Sequence, residues 1–172
     1  MTDVSKNIVL TGMMGAGKTS VGRELKTLCP DKTLVDIDEK ITETAKLEIT
    51  EIFEKYGEDY FRDLESKEVK KAAACTDLII TTGGGAVERD ENISALKENG
   101  VVFYLKVSTE SILKRLSSDT TRPLLNNVDK EKKLKALLAK RASQYEKADF
   151  TIDTDNKTVK EIALEVLNLY GK

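Results

Sequence analysis

The chain contains no histidine and no tryptophan among its 172 residues. Without an imidazole, a histidine-based catalytic triad and a histidine-ligated metal site are excluded outright. Cysteine is scarce as well. Cys29 and Cys75 stand alone, without C-x-x-C or metal-ligand spacing, and read as buried or incidental thiols. Proline occurs only at Pro30 and Pro123. No apolar run approaches the ~20 residues that span a bilayer. The opening Met-Thr-Asp-Val-Ser-Lys-Asn lacks the positive-then-apolar layout of a signal peptide, so a cytoplasmic protein is expected. Neither sign of charge dominates. A net charge of −2 gives no reason to expect nucleic acid or an anionic membrane as partner. The basic cluster from Lys130 to Lys140 reads as the wet side of a helix. Length and composition fit one soluble globular domain, residues 1–172, and nothing in them demands more than a monomer.

Against this plain background, residues 12 to 19 read Gly-Met-Met-Gly-Ala-Gly-Lys-Thr, directly after the apolar run Ile8-Val9-Leu10. This is the G-x-x-x-x-G-K-[ST] phosphate loop in its expected context, a strand leading into a helix. Such a loop aims backbone N–H groups at one point, and the helix dipole adds positive potential there. The candidate nucleotide-binding set is Gly12, Gly15, Ala16, Gly17, Lys18, Thr19 and Ser20. Lys18 would reach the β- and γ-phosphates, and the Thr19 hydroxyl would bind Mg²⁺. The chain is expected to bind a nucleoside triphosphate.

Strand-like and helix-like segments alternate along the chain. Strands are expected at Lys6–Thr11, Thr33–Ile37, Leu78–Thr82, Val101–Val107 and Phe150–Ile152. Helices are expected at Gly17–Leu28, Asp90–Asn99, Thr109–Leu116, Lys130–Lys147 and Thr158–Leu169, with a long helical stretch over about 38–74, broken near Leu47–Thr50 and Gly57. The pattern predicts an α/β three-layer sandwich: a five-stranded, mainly parallel sheet with helices on both faces. Ligands of such sheets bind beyond the carboxyl ends of the strands. The first strand ends at the phosphate loop, the second at Asp36-Ile37-Asp38 and the third at Gly83-Gly84-Gly85, so these ends should share one crevice.

Several weaker features cluster there. Asp36 and Asp38 lie two apart in what reads as an extended segment, with side chains on one side; alternatively Asp38 caps the next helix. Arg62 and Glu65, three apart on a helix, suit either a carboxylate fork or an exposed ion pair. The triple glycine suits backbone that meets a small ligand closely. Arg122-Pro123, in the polar stretch 117–129, suggests a lid that closes on phosphates, or a turn that stops a helix. Arg141, four before Tyr145, is a second anion clamp or a surface charge.

Taken together and in this order, Gly12–Thr19, Asp36-Ile37-Asp38, Phe61-Arg62 with Glu65, Gly83-Gly84-Gly85, Arg122-Pro123-Leu124-Leu125, Arg141 with Tyr145, and Ile152-Asp153-Thr154-Asp155 resemble the shikimate kinase family over essentially the whole chain. The resemblance implies a P-loop kinase fold with an acceptor-binding helical region at about 38–74 and a lid at about 117–129. It implies transfer of the γ-phosphoryl of ATP to the 3-hydroxyl of shikimate with Mg²⁺, on the route to chorismate and the aromatic amino acids. Asp38 then contacts the acceptor hydroxyls as the proposed base, with Lys18 and Arg122 as the other catalytic groups. Thr19 and Asp36 support the metal, Asp36 often through water. Arg62 and Arg141 bind the shikimate carboxylate, and Gly84 and Gly85 touch the substrate. Arg115 covers the adenine, Arg122 is the lid arginine, and residues 152–155 resemble the adenine-side loop. The third strand carries no aspartate where many P-loop proteins have a metal ligand, an absence this family shares.

Rival readings lack their marks. A GTPase switch needs D-x-x-G, which does not occur, and an N-K-x-D base reader, which here ends in Val159. A nucleoside monophosphate kinase would carry F-P-R, and neither proline supplies it. Gluconate kinase is the nearest rival; the triple glycine paired with F-R-x-x-E argues against it.

Overall fold

The structure is a computed structural model that describes residues 5–116 and 130–172. Five strands form one sheet: β1 (Asn7–Thr11), β2 (Thr33–Asp36), β3 (Leu78–Thr81), β4 (Gly100–Lys106) and β5 (Phe150–Asp153). The order is β2-β3-β1-β4-β5, and every neighbouring pair is parallel. The helices are α1 (Lys18–Leu28), α2 (Ile37–Ala45), α3 (Ile49–Ala73), α4 (Asp90–Glu98), α5 (Thr109–Leu116), α6 (Lys130–Tyr145) and α7 (Val159–Tyr170). A 3-10 turn at Ala86–Glu88, not foreseen from sequence, precedes α4.

Central β1 is buried along its whole length, which is why it reads as a continuous apolar run. Its side chains alternate between two cores. Ile8 and Leu10 join Val21, Leu25, Phe103, Leu105 and Val166 on one face. Val9 joins Ile41, Ile52, Val69, Ile80 and Leu96 on the other. α1 and α7 pack together on the first face, and α2, α3 and α4 on the second. This is the layered arrangement expected. The long helix breaks at Gly57, with φ 84° and ψ 174°, a conformation essentially restricted to glycine.

One local expectation is corrected. β2 stops at Asp36 and α2 begins at Ile37, so Asp36 and Asp38 do not share an extended segment. Asp36, not Asp38, is the cap: its Oδ1 accepts from the Glu39 N–H at 3.2 Å. The helix starts early because aspartate satisfies an orphan first-turn N–H, and Asp38 and Glu39 then favour the positive end of the helix.

Candidate active site

The carboxyl ends of β1, β2 and β3 do converge. They border a cavity of about 410 Å³ lined by residues 14–21 of the phosphate loop and α1, with Asp36, Asp38 and Thr82–Gly84. α1 begins on Gly17, at φ 91° and ψ 18°, with no side-chain cap and no acid in its first turn. By contrast, α7 closes its start with Thr158 and Glu161. An N-terminus left open in this way presents N–H groups and dipole to an anion. Lys18 is buried beside it and donates to the carbonyls of Gly12 and Met13, the latter at 2.9 Å. Thr19, Ser20, Gly15, Ala16 and Gly17 line the cavity as expected. Gly12 does not. It lies against β4, where an added Cβ would fall 2.7 Å from the Leu105 carbonyl oxygen.

Arg115, near the end of α5, donates to the Gly15 carbonyl at 2.7 Å and closes one side of the cavity. Lys157, Val159 and Ile162 also line the cavity, a few residues after the segment 152–155 that the resemblance placed on the adenine side. No sequence pattern marked them; their position just beyond the end of β5 was the available signal.

A second, smaller pocket of about 90 Å³ adjoins the first. Its wall holds Arg62 and Arg141 together with Gly83, Gly84 and Gly85. Both arginines are buried, Arg62 at 7% and Arg141 at 1% exposure, so neither is the surface charge that was the alternative. Arg62 Nη1 donates to Glu65 Oε1 at 2.8 Å, and Arg62 Nη2 to Glu58 Oε1 at 3.3 Å. Burial works against the charge on Arg62, but Glu65, Glu88 and Glu58 outweigh it and raise its pKa. Burial also pushes the carboxyl of fully buried Glu65 up; Arg62 offsets part of this, and the nearby Asp38 charge adds to it. Phe53, Phe61 and Ile49 supply the apolar side of the pocket, and no motif singled out Phe53 or Ile49.

The triple glycine has a geometric reason within the protein itself. None of the three has a positive φ, so conformational freedom is not what they supply. Each has a charged side chain against it. A Cβ on Gly83 would fall 2.9 Å from Asp38 Oδ1, one on Gly84 3.2 Å from Arg141 Nη1, and one on Gly85 2.5 Å from Arg62 Cζ. The missing side chains are the space in which the site's charged groups lie. Tyr145, stacked on Tyr104 at 4.7 Å, donates its hydroxyl to the Gly84 carbonyl and holds the loop. Burial pushes the phenol up, so it remains a proton donor.

The two cavities share Met14, Asp38, Gly83 and Gly84 as a common wall. The Asp38 carboxylate therefore stands at the junction of the phosphate-loop cavity and the pocket that holds the two arginines. Arg122 lies outside the described residues.

A model of the family "Shikimate kinase" matches residues 14–170. The chain belongs to the shikimate kinase family. The shikimate kinase of Thermodesulfovibrio yellowstonii is 48% identical over 168 residues, 97% of this chain and 96% of that one. That of Bacillus mycoides is 46% identical over 162 residues, 94% of this chain and 96% of its own length. Among solved structures, the shikimate kinase from Acinetobacter baumannii in complex with shikimate superposes with a TM-score of 0.91 at 39% identity, covering 96% of this chain and 92% of that one. Members of the family are phosphotransferases that use ATP to phosphorylate a hydroxyl of shikimate.

Proposed function

We propose that ATP occupies the 410 Å³ cavity, that shikimate occupies the adjoining pocket, and that the γ-phosphoryl passes to the 3-hydroxyl across their common wall. The observation that carries this reading is the place of Asp38, which lines both spaces. The pocket is sized for one small ring rather than a second nucleotide, and the two arginines in its wall suit a carboxylate.

In this reading the acceptor acid is fixed by Arg62 and Arg141, and the amides of Gly84 and Gly85 border it. The opposite side of the ring then faces Asp38. A carboxylate there accepts a hydrogen bond from the attacking hydroxyl, aims its oxygen at the γ-phosphorus, and is placed to take the proton as the P–O bond forms. ADP leaves with the electrons of the broken bridge. Lys18 and the first-turn amides of α1 oppose the negative charge spreading over the phosphoryl oxygens. Arg115 borders the base end, and Arg122 is assigned to the lid by resemblance.

Thr19 and Asp36 fit Mg²⁺, a hard cation that takes oxygen ligands and keeps several waters. The Asp36 carboxylate is preset, with Oδ2 accepting from Thr81 Oγ1 at 2.8 Å and Oδ1 engaged by Glu39. Among the described residues no group of three or more His, Cys, Asp or Glu could hold an ion alone, so phosphate oxygens and water would complete the shell. The ion, when bound, supplies charge compensation to the triphosphate.

An ADP-release assay with ATP and Mg²⁺ tests the reading, with shikimate, gluconate, several nucleoside monophosphates and no acceptor in parallel. Shikimate alone should give turnover. Asp38→Asn should abolish transfer, with circular dichroism and urea unfolding near wild type. Turnover with gluconate, or most of the activity kept in Asp38→Asn, would refute it.

A further inference from the structure

Both arginines of the acceptor pocket lean on a carboxylate that belongs to no motif. Glu88 ends the 3-10 turn that follows the triple glycine. Its Oε1 accepts from Arg141 Nε at 3.3 Å and lies 3.1 Å from Lys140 Nζ. Its Oε2 lies 3.6 Å from Arg62 Nε. The side chain is mostly buried, yet Glu88 does not line the pocket that the arginines line. It can reach an acceptor only through them.

Electrostatics favour such a group. Two guanidiniums turned toward one small pocket repel each other, and the repulsion grows as water is excluded. Arg62 has Glu65 and Glu58 to balance it. Among the described residues, Glu88 is the acid in ion-pair contact with Arg141. Glu88 also takes hold at a particular place. It accepts a hydrogen bond from Arg141 Nε and faces Arg62 Nε at 3.6 Å, beyond hydrogen-bond reach, whereas Arg141 Nη1 lies against Gly84 and the Arg62 terminal nitrogens lie against Gly85. The terminal nitrogens thus border the glycine wall of the pocket, while both inner edges face the Glu88 carboxylate outside it. Burial pushes the Glu88 carboxyl up, but Arg141, Lys140 and Arg62 together hold it below the ordinary range, so it is ionised near neutral pH.

We propose that Glu88 is a positioning residue for the acid-binding pair: it sets the spacing and facing of Arg62 and Arg141, and through them the affinity for the acceptor's carboxylate. This rests on the reading of those arginines as the carboxylate clamp. Removing one partner of a charged hydrogen bond weakens an interaction by about tenfold or more.

The test uses Glu88→Ala, Glu88→Gln and Arg141→Lys, each with shikimate and with shikimate methyl ester, which lacks the negative charge. Urea unfolding checks each fold, and the isosteric Glu88→Gln guards against a repacking artefact in Glu88→Ala. Glu88→Ala should raise KM for shikimate about tenfold, Glu88→Gln less, with kcat and KM for ATP within about twofold. The kcat/KM of both variants for the ester should stay within about twofold of wild type. Wild-type KM for shikimate in both variants, or an equal loss on acid and ester, overturns the proposal. Arg141→Lys separates the two levels. If it weakens the acid far more than the ester while Glu88→Ala does not, the clamp stands and the role of Glu88 falls. If Arg141→Lys treats both acceptors alike, the clamp reading itself falls.

Discussion

Gly85→Ala is the sharpest probe of how the acceptor pocket is built. The backbone at Gly85, φ −94° and ψ 1°, is open to alanine, so the substitution carries no conformational penalty. By narrowing the unfolded ensemble, alanine even adds about 0.4–1 kcal/mol of stability at a compatible site. The conflict is with one side chain. The new Cβ would fall 2.5 Å from Arg62 Cζ and 2.6 Å from Nη1, where ordinary contact begins at 3.4 Å. The guanidinium must retreat by about 1 Å. Arg62 cannot do so freely, because Glu65 grips it at 2.8 Å and Glu58 and Glu88 flank it. A hydrogen bond to a charged group contributes about 1.5–3 kcal/mol, so losing the alignment of one clamp arginine should raise KM for shikimate roughly 10- to 100-fold. Arg62 does not line the phosphate-loop cavity, and KM for ATP should hold. Initial rates with both substrates varied give the answer, and urea unfolding should show a loss of no more than about 1–3 kcal/mol. Wild-type KM for shikimate in a stable Gly85→Ala protein would show that Arg62 shifts without consequence, and the steric account of the triple glycine would be wrong.

Two further outcomes follow from the same geometry. Glu65 has a raised folded pKa, so its contribution is largest when it is protonated and is lost as pH rises through the folded value. The stability of wild type relative to Glu65→Gln should therefore grow on acidification from neutral toward the ordinary glutamate range, measured by urea unfolding; a difference that shrinks would reverse the assignment. Gly57→Ala meets no atom within 4 Å but must adopt φ 84°, ψ 174°. It should cost about 1–3 kcal/mol by backbone strain alone, and an unchanged unfolding midpoint would contradict that.

The layered fold was legible because its signals are local: apolar runs for buried parallel strands, apolar spacing for helices, and a loop whose glycines have few other uses. The convergence of three strand ends followed from topology alone. Other features depend on contacts far apart in sequence, and there the reading thinned. Arg141 is ambiguous in its own segment because nothing nearby shows it buried beneath Gly84. Glu88 carries no pattern, and its meaning comes from residues 26 positions before it and 53 after it. The division of work between Asp36 and Asp38 was blurred because a four-residue strand passes straight into a helix, and which aspartate caps it is decided by one hydrogen bond. The glycine run was noticed, but its cause lies in side chains arriving from α2, α3 and α6 rather than in a ligand alone.

The wall common to the two cavities has a pharmacological corollary. Because Met14, Asp38, Gly83 and Gly84 border both spaces, the proposed placement of the two substrates implies that a single compound carrying an adenosine polyphosphate at one end and a cyclic hydroxy acid at the other needs only a short tether to fill both. Joining the halves makes the second binding event intramolecular, so such a bisubstrate inhibitor gains avidity without any new contact. Its selectivity over other ATP-dependent enzymes would come from the acid half, whose proposed seat lies at the arginines and not at the widely shared phosphate loop.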